Sequence, residues 1–245
     1  MNRQAQAVVM ILFGGAILKA SFTDMYLRYV KDGLRPFLIA AGMLLVAAAV
    51  MTLWYELRRP AEEAEADDHG HDHGHGGGGH HEPRVGWLLI LPVLGLLLVA
   101  PPALGSFAAG QSGSVLASQQ ISDYPPLPAG DPAKITVLDY ASRAVFDEGV
   151  SLKDRTVQLT GFITKGADGQ PMLARIILSC CAADGRPIKV GLTGNVPAAL
   201  AVDTWIEAEG RYTDRTATDP VNDATVPYLE VDTWRQITAP KQQYE

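Results

Sequence analysis

The chain has 245 residues, of which 19 % are charged and 47 % are apolar, and its formal net charge is −7 at pH 7. This composition excludes a disordered polyelectrolyte, and the lack of any strongly basic region argues against a nucleic-acid partner. Two cysteines are too few for a disulfide scaffold. In chain order, an apolar N-terminal part precedes a short acidic segment that holds all six histidines, and a polar C-terminal part follows.

Three apolar segments predict transmembrane helices at about residues 4–22, 36–55 and 86–108. The second and third contain no charged residue, and a helix needs roughly 20 apolar residues to cross a bilayer core. The first contains Lys19, and an apolar run at the N-terminus is also compatible with a signal peptide. We favour a retained helix because another apolar segment follows closely. The predicted fold class is therefore an α+β multi-pass protein of the cell membrane, with a membrane domain over residues 1–108.

The distribution of Lys and Arg residues between the loops gives a small preference for one orientation of these helices in the membrane. With three spans, the N-terminus and the loop at 56–85 share one side of the membrane, and they carry four Lys or Arg residues against three in the loop at 23–35. The positive-inside rule therefore predicts that the loop at 56–85 is cytoplasmic and that the C-terminal domain is extracytoplasmic.

The loop at 56–85 predicts a metal site. Imidazole binds zinc, copper and nickel, and carboxylates add oxygen ligands. Six histidines within thirteen residues argue against the alternative, a solvated low-complexity linker. Zinc is the leading expectation, and nickel or copper would fit the same ligands. The predicted ligands are His69, His71, His73, His75, His80 and His81, with Asp67, Asp68 and Asp72.

A linker rich in Pro, Gly and Ser is predicted at 109–133, followed by a soluble domain at 134–245. Within this domain, the sequence predicts a short strand at 135–138, a helix at 139–149 and a helix or turn at 196–202. Five strands are expected at 156–164, 172–179, 188–194, 204–213 and 228–238, and the first of them alternates between apolar and polar residues. Their order favours a small OB-like β-barrel over another antiparallel barrel or meander. Gly161 and Gly210 lie within strands, where glycine often marks a bulge or bend.

The adjacent cysteines Cys180 and Cys181 predict a thiol site, with Asp184 as the nearest acidic partner. Their side chains would point to opposite faces of a regular strand, so both reach one ion only if the strand ends or bulges there. A strained vicinal disulfide is disfavoured, because adjacent Cα atoms lie about 3.8 Å apart. The alternative is one buried cysteine and one facing a cleft.

Signatures of common enzymes are missing from the chain. It contains no P-loop, GxSxG, HExxH or dinucleotide-binding glycine pattern. The predicted soluble domain has no histidine, which excludes a Ser-His-Asp or Cys-His arrangement within it. We therefore expect a protein that is not an enzyme.

The layout resembles a family of permease subunits from Gram-positive bacteria, built from a membrane part and a domain of unknown function. The resemblance covers nearly the whole chain and is most specific in LARIILSCCAADGRPIKVG, TWIEAEGRY and PKQQY. Members are usually encoded beside a larger multi-span permease, and some such systems are linked to metal homeostasis. The resemblance thus implies an accessory subunit, with no catalytic residues to carry over.

These observations give one main functional hypothesis and two alternatives. The main one is a non-catalytic permease subunit whose His-rich loop handles divalent metal, with Zn²⁺ as the ion and a multi-span permease as the partner. The first alternative is a membrane-tethered OB-like module that binds a protein or glycan. The second is a thiol-redox accessory that uses Cys180 and Cys181.

Overall fold

The computed structural model describes residues 3–58, 91, 94–95, 102–116, 124–196 and 200–245. The chain divides into two compact units. The first comprises Met1–Tyr26 and Gly33–Pro102, and the second comprises Leu27–Asp32 and Ala103–Glu245. A short segment between the two N-terminal helices therefore belongs to the unit that holds the C-terminal domain.

Among its described residues, the first unit contains two long helices that pack against each other, α1 (Arg3–Phe22) and α2 (Arg35–Arg58). Small residues lie where they meet. A Cβ atom at Gly14 would come within 2.8 Å of a methyl carbon of Val46, and one at Gly42 would come within 2.8 Å of Leu18. Close helix contact through small residues is typical of packing in a bilayer.

The outward faces of this helix pair are apolar. Aromatic and aliphatic side chains that a water-soluble helix pair would bury are exposed here, among them Phe37, Met51, Trp54, Tyr55 and Leu57. Small residues inside and large apolar residues outside reverse the usual arrangement of a soluble protein.

The expectation of three membrane spans is not met by the described residues, among which one helix, Asp32–Arg58, is long and apolar enough to cross a bilayer. The helix predicted at 4–22 forms as α1, but its apolar stretch Gln6–Phe22 is shorter than that length. Most of 86–108 lies outside the described residues. Its end is not a continuous helix, because 102–105 is not helical and a separate short helix, α3 (Ser106–Gln111), follows.

The second unit is built on a β-sheet of six strands. They are β1 (Ala133–Lys134), β2 (Val157–Lys165), β3 (Pro171–Ile177), β4 (Arg186–Gly194), β5 (Trp205–Thr218) and β6 (Thr225–Gln236). The spatial order is β1-β2-β3-β4-β6-β5, and pairing of β2 with β5 closes the last five into a barrel. Strands β4 and β6 pair in parallel, and the other pairs within the barrel are antiparallel.

The barrel core consists of the inward residues of these strands, and helix α4 (Val137–Phe146) packs against it. Tyr140 on α4 is buried and donates a hydrogen bond from its hydroxyl to the backbone oxygen of Tyr228 (2.6 Å). The strand residues with the lowest exposure include Leu159, Ile163, Leu173, Ile188, Ile206 and Leu229.

The strand predicted at 135–138 is wrong, because α4 begins at Val137. Thr136 caps the helix by accepting a hydrogen bond from the N–H of Asp139. The carboxylate of Glu245 accepts two more, from the N–H groups of Val137 and Leu138 (3.1 Å each). These partners favour a helix start over the strand preference of the local sequence.

The residues between the strands predicted at 204–213 and 228–238 largely form a hairpin. Strand β5 continues to Thr218 and β6 begins at Thr225, with register shifts between Tyr212 and Thr216. The residues predicted as a helix or turn at 196–202 include 197–199, which lie outside the described residues.

The described parts of the predicted linker lie along the barrel. The N–H of Val115 donates to the backbone oxygen of Pro187 (3.0 Å), and Lys189 donates from its side chain to the backbone oxygen of Ser112 (2.9 Å). Further along, Arg155 donates to the backbone oxygen of Gly130 (2.6 Å). The described linker residues 109–116 and 124–133 thus belong to the folded unit that contains the barrel.

Gly210 marks a β-bulge, since the pairing of β5 with β6 shifts register between Glu209 and Gly210. A methyl group at Gly210 would overlap the backbone oxygen of Glu230. We therefore expect Gly210→Ala to lower the free energy of unfolding by about 1–3 kcal/mol, the usual cost of overpacking. The measurement is chemical denaturation of the purified protein in detergent, followed by tryptophan fluorescence.

The matched control for this prediction is Gly110→Ala. Gly110 is helical, and a Cβ atom there would meet nothing within 4 Å. This substitution is expected to be neutral or to stabilise by up to about 1 kcal/mol through helix propensity. Equal effects of the two substitutions would contradict the assigned bulge.

Candidate functional site

The two cysteines lie in a turn between β3 and β4, which we call the cysteine turn (Ser179–Gly185). Strand β3 ends at Ile177, before the cysteines, and a short 3₁₀ helix at Ala182–Asp184 leads into β4. The strand therefore ends before the cysteines, which is the condition under which both thiols can reach one ion.

The carboxylate of Asp184 organises the cysteine turn. Its Oδ1 accepts a hydrogen bond from the N–H of Ser179 (3.0 Å), and its Oδ2 accepts from the N–H groups of Cys180 (2.8 Å) and Cys181 (3.4 Å). The side chain of Cys181 in turn accepts from the N–H of Asp184, which completes a capping box. These bonds hold the backbone of both cysteines around one side chain.

The turn brings three metal-ligating groups together. One ligand atom each from Cys180, Cys181 and Asp184 lies within 4.8 Å of the others. Both cysteines are free thiols; Cys180 is exposed and Cys181 is half-buried. Among the described residues, these three form the one group of this kind. Neither thiol is fully buried, so neither serves mainly as an apolar core residue.

Asp184 also controls the protonation of Cys180. The pKa of Cys180 is raised to about 11 by a hydrogen bond from the thiol to Asp184, then by Cys181 and partial desolvation. The same bond, with the backbone N–H groups, lowers the pKa of Asp184. The neighbouring carboxylate thus favours the protonated form of the Cys180 thiol. A bound cation would favour the thiolate instead, so metal binding here would release protons.

We expect slow alkylation of Cys180 at neutral pH. A thiol with a pKa of about 11 has, at pH 8, roughly one hundredth of the thiolate of a thiol with a pKa near 9. Asp184→Asn removes the negative charge that favours the protonated thiol, so it should lower this pKa and speed alkylation. The measurement is the rate of iodoacetamide modification from pH 7 to 11 in the Cys181→Ser variant, so that one thiol is followed.

Asp168→Asn is the control for that prediction, because Asp168 is an exposed turn residue outside the cysteine turn. It should leave the rate and its pH midpoint unchanged. A midpoint near 9 in the otherwise unchanged Cys181→Ser protein would contradict the assigned hydrogen bond.

The segment between α1 and α2 lies against the cysteine turn. We call Leu27–Asp32 the helix connection. Val30 forms an antiparallel β-bridge with Cys181. The N–H of Lys31 donates to the backbone oxygen of Cys180 (3.1 Å), and the N–H of Ala182 donates to that of Tyr29 (2.7 Å). This contact is not predictable from the sequence, since no local pattern links residues about 150 positions apart.

The chemistry of the three groups favours a borderline or soft cation. Thiolate sulfur binds zinc and copper well, whereas magnesium and calcium prefer oxygen ligands. Three protein ligands leave a coordination position for water or another donor. The second metal site predicted from the sequence, at His69, His71, His73, His75, His80 and His81 with Asp67, Asp68 and Asp72, lies outside the described residues and stays a prediction.

Comparison with protein families assigns both halves of the chain. The family model of the DUF1980 N-terminal domain matches residues 5–115, and that of the DUF1980 C-terminal domain matches residues 144–245. This chain carries both DUF1980 domains. No curated protein and no solved structure matches it. The expected pairing of an N-terminal part with a domain of unknown function is therefore confirmed.

The two DUF1980 domains divide the candidate residues between them. The DUF1980 N-terminal domain includes the helix connection and the His-rich segment, and the DUF1980 C-terminal domain includes the cysteine turn and the barrel strands. The hydrogen bonds between the helix connection and the cysteine turn therefore join residues of both domains.

Proposed function

We propose that the protein is a membrane-anchored, non-catalytic accessory subunit of a permease and that it binds a thiophilic divalent metal ion. The metal-binding part of the proposal rests on the convergence of Cys180, Cys181 and Asp184, whose ligand atoms lie within 4.8 Å of one another. Zn²⁺ is the proposed ion, because two thiolates and a carboxylate are ligands it takes in proteins. Nickel and copper are the competing ions by the same ligand chemistry.

The helix pair supports membrane anchoring. Its contact surface is formed by small residues such as Gly14 and Gly42, while Phe37, Met51 and Leu57 are exposed. In water, so many exposed apolar side chains would favour aggregation, whereas lipid tails solvate them well. The proposed anchor is therefore the pair α1 and α2.

The helix connection bears on the proposed topology. It joins α1 to α2, and with three membrane spans the connection and the C-terminal domain would share one aqueous side. Helix α2 has 24 residues and rises about 36 Å, enough to reach the other side. The chain would then have to recross after Arg58, and the apolar sequence that begins at 86 is the proposed third span. The His-rich segment would face the opposite side, which the positive-inside rule assigns to the cytoplasm.

The strand order supports an OB-like barrel. Five strands close through pairing of β2 with β5, and β4 pairs in parallel with β6. An OB-fold is a five-stranded Greek-key barrel, so this strand arrangement supports the proposal. In our proposal the barrel presents the cysteine turn and contacts protein, not nucleic acid. The excess of acidic over basic residues in 131–245, sixteen against twelve, would repel phosphate.

The permease partner is supported by the resemblance described above. The thiol-redox alternative is less well supported, because a raised pKa keeps Cys180 protonated at neutral pH and a protonated thiol is a poor nucleophile. The same feature does not disfavour metal binding, since a cation displaces the proton.

Metal analysis and copurification from native membranes test the proposal. Four full-length proteins are compared: wild type, a variant with all six histidines changed to alanine, Cys180→Ser/Cys181→Ser, and the combination of both. We expect the six-histidine variant to retain about one zinc per chain and the combined variant to retain none, with the permease copurifying in every case. Ser179→Ala controls for a change in the turn that leaves the ligands in place.

Two results would overturn parts of this proposal separately. Equal zinc content in the six-histidine and combined variants would remove the metal role of the cysteine turn. Absence of any multi-span permease from the wild-type preparation would remove the accessory role.

A further inference from the structure

The cysteine turn shares backbone groups with the helix connection. The carbonyl of Cys180 and the N–H of Ala182 flank the second cysteine, and both are bonded to the connection, at Lys31 and Tyr29. The β-bridge between Val30 and Cys181 lies between these two bonds. The residues that supply the two sulfur ligands therefore also hold the connection in place.

An ion at the turn would act on the same backbone. The three N–H groups of Ser179, Cys180 and Cys181 converge on Asp184, so the side chain that would ligate the ion already sets the path of the chain through both cysteines. Joining two thiolates and this carboxylate through one ion would restrict that path further. The backbone conformation that the ion would stabilise is the one in which the cysteine turn makes its hydrogen bonds to the helix connection.

The helix connection has a second attachment that does not involve the ligands. The hydroxyl of Tyr244 donates to the backbone oxygen of Arg28 (2.8 Å) and accepts from the N–H of Leu104 (2.8 Å). Tyr244 is buried in a separate apolar cluster with Ile176 and Trp205. One end of the connection is thus held by the barrel, and the other end is held by the cysteine turn.

We infer that a metal ion bound at the cysteine turn stabilises docking of the helix connection, so that occupancy of the site is coupled to the segment that joins α1 and α2. This inference rests on the proposed function, because it requires an ion at the cysteine turn. Coupling of this kind is reciprocal: if the ion stabilises the docked connection, the docked connection raises the affinity for the ion by the same factor.

Hydrogen exchange in the full-length protein tests the coupling. The six-histidine alanine variant serves as the host, so that added Zn²⁺ can act only outside the His-rich segment. We expect Zn²⁺ to slow exchange of the Lys31 and Ala182 amides, by up to about 100-fold at a free concentration 100 times Kd. The Ala133 amide, which donates to Thr156 outside the connection and the turn, serves as the internal control. The Cys180→Ser/Cys181→Ser version of the host should show no slowing.

The reciprocal test uses the connection itself. Lys31→Pro removes the N–H that donates to Cys180, whereas Lys31→Ala keeps it and serves as the matched control. Weaker Zn²⁺ binding by Lys31→Pro, with unchanged binding by Lys31→Ala, would support the coupling. Zinc bound by the host with no change at Lys31 or Ala182 would overturn the coupling and leave the proposed function standing. Failure of the host to bind zinc through its cysteines would overturn the proposed function itself.

Discussion

Asp219→Asn is expected to lower the free energy of unfolding of the barrel by about 3–5 kcal/mol, because it breaks a buried ion pair by removing one charge. Asp219 lies 2.9 Å from the ammonium of Lys189, and the side-chain exposures are 1 % and 8 %. The carboxylate also accepts hydrogen bonds from the N–H groups of Ser114 and Val221. The substitution would leave the Lys189 charge buried without its partner. The measurement is denaturant unfolding in detergent at pH 7.

The pH dependence gives this prediction a second test. Burial alone would raise the pKa of Asp219, but hydrogen bonds from Lys189 and from the backbone outweigh it, so the pKa lies below its ordinary value of 3.8. A depressed folded-state pKa stabilises the fold above the ordinary pKa, and this contribution is lost as the pH falls through the folded value. The difference between wild type and Asp219→Asn should therefore narrow in acid below about pH 4.

Asp232→Asn is the matched control for Asp219→Asn. Asp232 lies 3.8 Å from Arg211, and both side chains are at least half exposed. Surface pairs of this kind contribute about 0–1 kcal/mol, so the change in unfolding free energy should be small. A loss for Asp219→Asn no larger than for Asp232→Asn would contradict the buried pair.

The second large effect concerns metal affinity. In the six-histidine alanine host, Cys180→Ser/Cys181→Ser should weaken Zn²⁺ binding by at least about 100-fold. Loss of a group that only orients a ligand commonly costs 10–100-fold, so loss of two direct ligands should cost more. Competition titration with a zinc-binding dye measures this change.

In the same titration, Asp184→Asn distinguishes the role of Asp184 as a metal ligand from its role in holding the backbone of the cysteine turn. It keeps one oxygen that can accept from the backbone N–H groups of the turn but removes the anionic oxygen. We expect a weakening of about 10–100-fold, between the effects of Ser179→Ala and the double cysteine variant. Binding that is unaffected by all three changes would place the zinc elsewhere.

Much of the barrel follows from local sequence patterns. The five strands predicted from the sequence correspond to β2 through β6, and the ADG sequence after the cysteines indicated the turn before β4. Asp184 stood out as an acidic neighbour of the cysteines because it lies only three positions after Cys181. Patterns of this kind act over a few residues, and here they agree with the fold.

The differences arise where distant residues decide the local structure. Helix α4 starts at Val137 because Glu245, more than a hundred positions away, accepts its first N–H bonds. Lys189 tolerates burial because Asp219 meets it from the β5–β6 hairpin. The role of the helix connection beside Cys181 is likewise invisible to local patterns, since its bonds are made by backbone groups.

X-ray absorption at the zinc edge, on the six-histidine alanine variant loaded with one equivalent of Zn²⁺, tests the central claim most directly. A site formed by Cys180, Cys181 and Asp184 predicts two sulfur neighbours at about 2.3 Å and lighter neighbours at about 2.0–2.2 Å. Adding Cys180→Ser/Cys181→Ser should remove the sulfur signal. A zinc spectrum with only nitrogen and oxygen neighbours in the host would contradict a metal site at the cysteine turn.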